Sequence, residues 1–155
     1  GVDSDPDAVV ATRRLAAEID PTVAVEERFR VAPVERLPFT DASFDVVLSS
    51  AVLHFARDDT HWWAMVREMW RVLALGGLLF ARLAATTGQR AGLEALGGRR
   101  YVMPDGSERY LVDEDFIVAA TRELGGTLAD PVKTTVVHGR RSMMTWVVRK
   151  PPATA

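Results

Sequence analysis

The sequence has 155 residues, of which 48% are apolar and 26% are charged, a composition typical of one globular domain with a sizeable core. Its 19 basic and 21 acidic side chains give a formal net charge of −2, so the chain lacks the basic footprint of a nucleic-acid-binding protein. The absence of cysteine excludes disulfides and thiolate metal sites and fits a cytoplasmic location. No apolar run reaches the roughly 18 residues that a membrane span needs.

The first part of the chain predicts a helix and then a short strand. Residues 6–19 predict the helix, because Asp5 can cap it and Pro6 suits its first position. Its apolar side chains share one face at helical spacing: Ala8, Ala11, Leu15 and Ile19. The alternating residues 28–32 predict a strand.

The middle of the chain predicts a turn, a strand and a strong helix. Residues 37–43, "LPFTDAS", have turn chemistry, and the apolar run at 44–49, "FDVVLS", is typical of a strand buried on both faces in a parallel sheet. Residues 58–73 predict a helix capped by Asp58 or Asp59. Its apolar stripe consists of Trp62, Val66, Met69 and Leu73.

The last half of the chain completes an alternating α/β pattern. Gly76 and Gly77 can form a left-handed turn at the end of the preceding helix. The further predicted elements are a strand at 78–83, helices at 87–96 and 113–124, a turn at 104–106, and two β-rich runs at 132–139 and 143–150. This order favours a doubly wound α/β fold that ends in an antiparallel hairpin. Ligands of such folds bind beyond the carboxyl ends of the strands, where Ser49 and Ser50 are expected.

The central block resembles a known family. The stretch "VERLPFTDASFDVVLSSAVLHF" followed by "EMWRVLALGG" is similar to the class I S-adenosylmethionine-dependent methyltransferases, and most closely to their small-molecule, type 11-like branch. "GVDSDPDAVVATRRLA" resembles the second strand and following helix of that family, and the last hairpin resembles its closing strands. The resemblance implies a Rossmann-like sheet over residues 1–150, followed by a disordered tail at 151–155.

The resemblance also implies an absent element. Family members begin with a strand and a glycine-rich loop, roughly "vLDlGcGtG", and this chain starts at "GVD" without them. The absent strand lies at the centre of the family's sheet, where its burial contributes on the order of 10 kcal/mol. Such a chain should misfold, borrow a strand from a partner such as a second copy in a homodimer, or be a fragment of a longer protein; we favour the fragment.

The resemblance implies a set of cofactor-binding residues for S-adenosylmethionine. Asp3, with Ser4 beside it, matches the acidic residue that accepts both ribose hydroxyls, although it could also be a solvated acid. Pro33 replaces the aspartate that would hold the adenine amino group. Recognition of adenine would then depend on the N–H of Val34, with Glu35 as a nearby polar contact or a surface acid.

Further residues around the strand end are candidates for the reaction itself. Ser49 and Ser50 either line the methionine end of the cofactor pocket or simply end a strand. His54 is the candidate catalytic base, with a half-buried structural histidine as the alternative. Arg82 could meet an anionic acceptor, although a surface position is the simpler interpretation, and Arg109 lies in a segment where such enzymes often carry substrate contacts. His61 and His138 are interpreted as surface or turn residues. No metal is expected, because neither has a carboxylate or histidine at metal-ligand spacing.

The resulting hypothesis is methyl transfer from S-adenosylmethionine to a small-molecule acceptor, without nucleic-acid or membrane partners. The alternative is a non-catalytic relic or interaction domain that keeps the scaffold but cannot hold the cofactor. The missing glycine loop and Pro33 favour that alternative, whereas Asp3 and the intact central block favour the enzyme. A nicotinamide-binding Rossmann domain is a weaker third interpretation, because the terminal antiparallel hairpin does not fit it.

Overall fold

The computed structural model describes residues 1–89 and 92–153, which form an α/β structure. The strands are β1 (Val2–Asp3), β2 (Arg30–Val31), β3 (Phe44–Ser50), β4 (Leu73–Ala84), β5 (Glu94–Gly97), β6 (Arg100–Val102), β7 (Glu108–Tyr110), β8 (Thr127–Leu128), β9 (Lys133–Val137) and β10 (Arg141–Arg149). The helices are α1 (Pro6–Ile19), α2 (Val25–Arg28), α3 (Asp59–Val72) and α4 (Glu114–Glu123), with a short 3-10 helix at Leu53–Phe55.

The main sheet is mixed and carries the predicted hairpin at one end. Its strand order is β3–β4–β10–β8, and β9 also pairs with β10. Strands β3 and β4 are parallel, with Val47 opposite Leu79, whereas β10 runs antiparallel to β4, with Trp146 opposite Ala81. The antiparallel pairing of β9 with β10 confirms the predicted hairpin.

Aspartate caps fix the starts of the three longer helices as the sequence predicts. The side chain of Asp5 accepts the N–H of Asp7, and Asp58 accepts that of His61. Asp113 accepts the N–H of Phe116 at 2.8 Å. Each cap satisfies a backbone donor that has no partner inside the helix, so these boundaries are set by local sequence.

The core lies between the main sheet and helices α3 and α4. The predicted stripe of α3 is buried throughout: Trp62, Val66, Met69 and, just after the helix, Leu73. The ring of Trp62 stacks with Trp146 of β10 at a centroid distance of 6.1 Å, and Trp146 Nε1 donates to Thr121 of α4. Because β10 and both helices meet at these two rings, Trp62 and Trp146 serve core packing, as the apolar stripe predicts for Trp62.

Strand β3 is paired on one side only. Within the described residues, β3 pairs with β4 alone, and β1 pairs only with β2 in a separate two-stranded parallel sheet. Val46 and Leu48 on β3 are 58% and 70% exposed, so the prediction of a strand buried on both faces is wrong. Helix α3 covers one face, and no described element covers the other. The apolar residues Leu15 and Ile19 of α1 are also exposed, at 57% and 75%.

The predicted helix at 87–96 is wrong. Residues 87–88 form a turn, residues 94–97 form β5, and residues 90 and 91 lie outside the described ranges. Strands β5, β6 and β7 form a three-stranded antiparallel sheet that sequence patterning missed. Its strands are only three or four residues long and contain glycine and charged side chains, so they lack a clear alternating pattern.

An ion-pair network holds the turn between β2 and β3 against helix α3. Arg71 donates to the backbone carbonyls of Leu37 and Phe39 and to the carboxylate of Asp41. Glu68 accepts both the Leu37 N–H and the Arg71 guanidinium, and these hydrogen bonds hold the pKa of Glu68 below its usual value. The network fixes the chain that follows Val34 and Glu35, and thereby positions part of the site described below.

The glycine pair at 76–77 offers a matched test of the fold. Gly76 has a φ of +78°, and a Cβ added to it would meet no atom within 4 Å, whereas a Cβ on Gly77 would lie 2.8 Å from the Asp45 carbonyl oxygen. We expect Gly76→Ala to lower the free energy of unfolding by about 1 kcal/mol through backbone strain alone. Gly77→Ala should cost about 2 kcal/mol or more, because backbone atoms of β3 must move. Urea denaturation of both variants measures this, and equal losses would contradict the described β3–β4 packing.

Candidate functional site

The carboxyl ends of β1 and β3 line one cavity of about 670 Å³, which we call the first cavity. Its lining includes most of the predicted cofactor-binding residues: Asp3, Ser4, Val34, Glu35 and Ser50. The strand that carries Asp3 and the strand that carries Ser50 belong to different sheets. The cavity is large enough for a nucleoside-sized ligand, since small-molecule pockets commonly span about 300–1,000 Å³.

Asp3 is held in place by the start of helix α1. Its Oδ1 atom accepts the N–H of Asp5 at 2.9 Å, and Asp5 in turn caps the helix. Asp3 itself is exposed at the wall of the first cavity. A carboxylate in this position is suited to accept hydrogen bonds from paired hydroxyl groups of a ligand.

The loop after β2 contributes backbone and side-chain polar groups to the same cavity. The N–H of Val34 has no acceptor within residues 1–89 and 92–153, which leaves it available to a ligand. Glu35 Oε1 lies 3.3 Å from His61 Nε2 of helix α3, and both residues line the cavity. The His61 side chain is only 12% exposed, so its interpretation as a surface residue is wrong.

The two serines that end β3 have different environments. Ser50 lines the first cavity, whereas Ser49 does not, and Ser49 is buried with an Oγ atom that lacks a hydrogen-bond partner among the described residues. Successive side chains of a strand point to opposite faces, so only one of the pair can reach the cavity. Of the two serines, Ser50 alone lines the first cavity.

Ala51 separates the first cavity from a second one. The second cavity, of about 580 Å³, is lined by His54 and by turns from the β6–β7 and β9–β10 hairpins. Ala51 and Phe55 line both cavities. Ala51 adopts a φ of +61°, an uncommon conformation for alanine, and its N–H donates to the Arg82 carbonyl at 2.8 Å. The small side chain of Ala51 keeps the wall between the two cavities thin.

His54 belongs to the second cavity and is neutral at physiological pH. Its side chain is buried, and its Nδ1 atom has no hydrogen-bond partner within the described residues. Burial, reinforced by the positive charges of Arg109, Arg141 and Arg82, lowers the pKa of His54 to about 4. Such an imidazole is a weak base that accepts or donates a hydrogen bond more readily than it holds a proton.

Sequence reasoning missed several residues of these cavities. Ala51, Phe55, Arg57 and Met65 line the first cavity along with His61. The first two lie within six residues of the predicted strand end, and this position was the signal that could have identified them. Arg57 precedes helix α3 and Met65 lies on it, and local patterning does not reveal that either residue reaches the cavity.

Two absences concern only the residues that the structure describes. Within residues 1–89 and 92–153, no group of three or more His, Cys, Asp or Glu side chains is arranged to hold a metal ion. Over the same ranges, every helix is too short or too polar to cross a membrane.

The low pKa of His54 predicts a specific acid sensitivity. Folding disfavours the protonated imidazole, because it lowers the pKa of His54 from 6.5 to about 4. The free energy of unfolding is therefore unaffected by the titration of His54 above pH 6.5 and decreases as the pH falls from 6.5 towards 4. We expect wild type to lose about 2 kcal/mol more than His54→Gln over this pH window, after an allowance for partial solvent screening. Urea denaturation at several pH values measures the difference, and parallel pH profiles would contradict the assigned environment.

Comparisons with known proteins agree with the α/β architecture. A family model described as a methyltransferase domain matches residues 1–81. A malonyl-[acyl-carrier protein] O-methyltransferase from Herminiimonas arsenicoxydans is 36% identical over 118 residues, which cover 70% of this chain. The chain spans only 42% of the length of that curated relative.

Solved structures share the fold at low sequence identity. A SAM-dependent methyltransferase from Methanosarcina mazei superposes with a TM-score of 0.72 at 17% identity, over 99% of this chain and 82% of the other. The 1,6-didemethyltoxoflavin-N1-methyltransferase from Burkholderia thailandensis, solved with 1,6-didemethyltoxoflavin and S-adenosylhomocysteine, gives a TM-score of 0.68 at 16% identity. That match covers 97% of this chain and 60% of the other. The strand arrangement and the family-model match together show that the chain belongs to the class I S-adenosylmethionine-dependent methyltransferases.

Proposed function

We propose that the protein transfers a methyl group from S-adenosylmethionine to a small-molecule acceptor. The observation that carries this proposal is the first cavity, where the carboxyl ends of β1 and β3 meet around Asp3 and Ser50. Parallel-strand ends of this kind are where α/β folds bind nucleotide-like ligands. The bound structures and names of the family relatives support the choice of cofactor and reaction.

The residues of the first cavity fit the chemical groups of this cofactor. Asp3 would accept hydrogen bonds from the ribose hydroxyls, and the N–H of Val34 would face the adenine ring. Glu35 and Ser4 would supply further polar contacts, and Ser50 would lie towards the methionine portion. When bound, S-adenosylmethionine supplies an activated methyl group, so the protein needs mainly to orient the reactants and exclude water.

His54 has a limited role in this proposal. His54 lines the second cavity together with Ala51, and Ala51 also lines the first cavity. An acceptor in the second cavity would therefore lie next to the cofactor. With a pKa of about 4, His54 would orient the acceptor through a hydrogen bond and would give weak assistance to proton removal. The proposal that it acts as a general base is therefore best tested by replacing it with glutamine, which retains a hydrogen-bonding side chain. Unchanged turnover in that variant would end the base proposal.

We further propose that one more strand completes the site between β1 and β3. The open edges of β1 and β3, together with the exposed Val46 and Leu48, support this idea. An unpaired apolar strand edge is unfavourable in water and prone to pair with another strand. In the simplest arrangement the added strand and its glycine-rich loop precede Gly1 in a longer protein. The alternative function, a scaffold that no longer holds the cofactor, is favoured by the same open edge and by Pro33.

Calorimetric titration with S-adenosylmethionine and S-adenosylhomocysteine separates these alternatives. Saturable micromolar binding by the 155-residue chain would support the enzyme directly. Binding only by an N-terminally extended form would support both the enzyme and the added strand. If neither form binds either compound, the methyltransferase proposal is wrong and the non-catalytic scaffold remains.

Replacing Asp3 tests the assignment of the ribose contact. Asp3→Ala should weaken S-adenosylhomocysteine binding by about 1.5–3 kcal/mol, the range for hydrogen bonds to a charged group. Asp7→Ala removes an exposed carboxylate of the same charge outside the first cavity and serves as the control. Calorimetry in the form that binds measures both variants, and equal affinities of Asp3→Ala and wild type would remove Asp3 from the site.

A further inference from the structure

The second cavity carries a concentration of positive charge. Three arginines from the β6–β7 and β9–β10 hairpins line it: Arg109, Arg140 and Arg141. Asp105 is the carboxylate of the lining, and its Oδ1 atom accepts the N–H and the hydroxyl of Ser107 within its own turn. Within residues 1–89 and 92–153, no carboxylate forms an ion pair with any of the three arginines.

One of these guanidinium groups is fixed by its surroundings. Arg109 is half-buried, and its Nη1 atom donates to the Glu108 carbonyl at 2.7 Å. Its guanidinium also lies 4.7 Å from the centre of the Phe55 ring. Arginine held in this way loses less conformational freedom when it binds an anion, and its planar donors match a carboxylate.

The neighbouring histidine lies within the same positive field. After burial, the charges of Arg109, Arg141 and Arg82 are the causes that lower the pKa of His54. The arginine charges, which disfavour a cation on His54, attract an anion in the same cavity. Arg82 was a candidate for contact with an anionic acceptor, and it acts here through its charge because it does not line the cavity.

Part of the remaining lining of the cavity is apolar. Met103 and Met143 face it together with Ala84 and the shared Phe55. Methionine adapts its flexible side chain to irregular apolar ligands. The lining therefore suits a molecule with an anionic group at one end and an apolar chain attached to it.

We propose that the second cavity binds a carboxylate of the methyl acceptor through Arg109 and Arg141, with the acceptor's apolar portion against Met103, Met143 and Phe55. This inference rests on the proposed function for the identity of the ligand as a methyl acceptor. Because Ala51 and Phe55 belong to both cavities, an acceptor held in this way reaches the wall that adjoins the cofactor site. The substrate class is thus a carboxylic acid of small to medium size.

Hexanoate and its neutral isostere hexanamide are suitable probes of the cavity. We expect hexanoate to bind saturably and at least tenfold more tightly than hexanamide, as measured by NMR titration of the His54 side-chain signals. Hexanoate should also raise the pKa of His54, because it offsets the arginine charges. Equal affinity for the two probes, or an unmoved His54 pKa at saturation, would overturn the proposal.

Variants of the two arginines link the binding to the cavity. Arg109→Gln combined with Arg141→Gln should weaken hexanoate binding at least tenfold and leave hexanamide unaffected. Arg14→Gln removes the same charge from an exposed position on α1 and should change the affinity less than twofold. Circular dichroism checks that each variant is folded, and full hexanoate affinity in the folded double variant would contradict the proposal.

The outcomes of this test are distinct from those of the cofactor test. Arginine-dependent hexanoate binding without S-adenosylhomocysteine binding would retain the carboxylate site and reject methyl transfer. Cofactor binding without hexanoate binding would retain methyl transfer and reject the carboxylate acceptor.

Discussion

The parallel pairing of β3 with β4 is the interaction on which the rest of the structure depends. It brings the carboxyl end of β3 beside Arg82, whose carbonyl accepts the N–H of Ala51. That hydrogen bond holds the turn from which Ser50 enters one cavity while Ala51 and Phe55 divide it from the next. The other edge of β3 pairs with no described strand.

The two cavities differ in chemistry in a way that matches two reactants. The first combines Asp3, Glu35 and an available backbone N–H, which are polar groups suited to the hydroxyls and amino group of a nucleoside. The second combines arginines with apolar side chains. The burial of His54 in this positive environment keeps it uncharged, which limits its use as a base, so in the proposed reaction the protein would contribute mainly alignment.

Local sequence predicted the features that local physics controls. Asp5, Asp58 and Asp113 cap the helices at the expected positions, and the stripe of α3 and the final hairpin are as expected. The family resemblance identified five residues that line the first cavity: Asp3, Ser4, Val34, Glu35 and Ser50. The sequence could not show which of Ser49 and Ser50 faces the cavity, because an apolar run has no polar alternation that distinguishes the two faces of a strand. The β5–β7 sheet depends on tertiary packing, which no local pattern encodes. The same is true of the cavity wall where Arg109 meets Arg140 and Arg141.

The most direct test of the account is a crystal structure of the form of the protein that binds S-adenosylhomocysteine, solved with that compound. The account predicts the ribose against the Asp3 carboxylate, the adenine near Val34, and the sulfur directed towards Ala51. A nucleoside bound elsewhere on the molecule, or one with Asp3 turned away from the ribose, would contradict it.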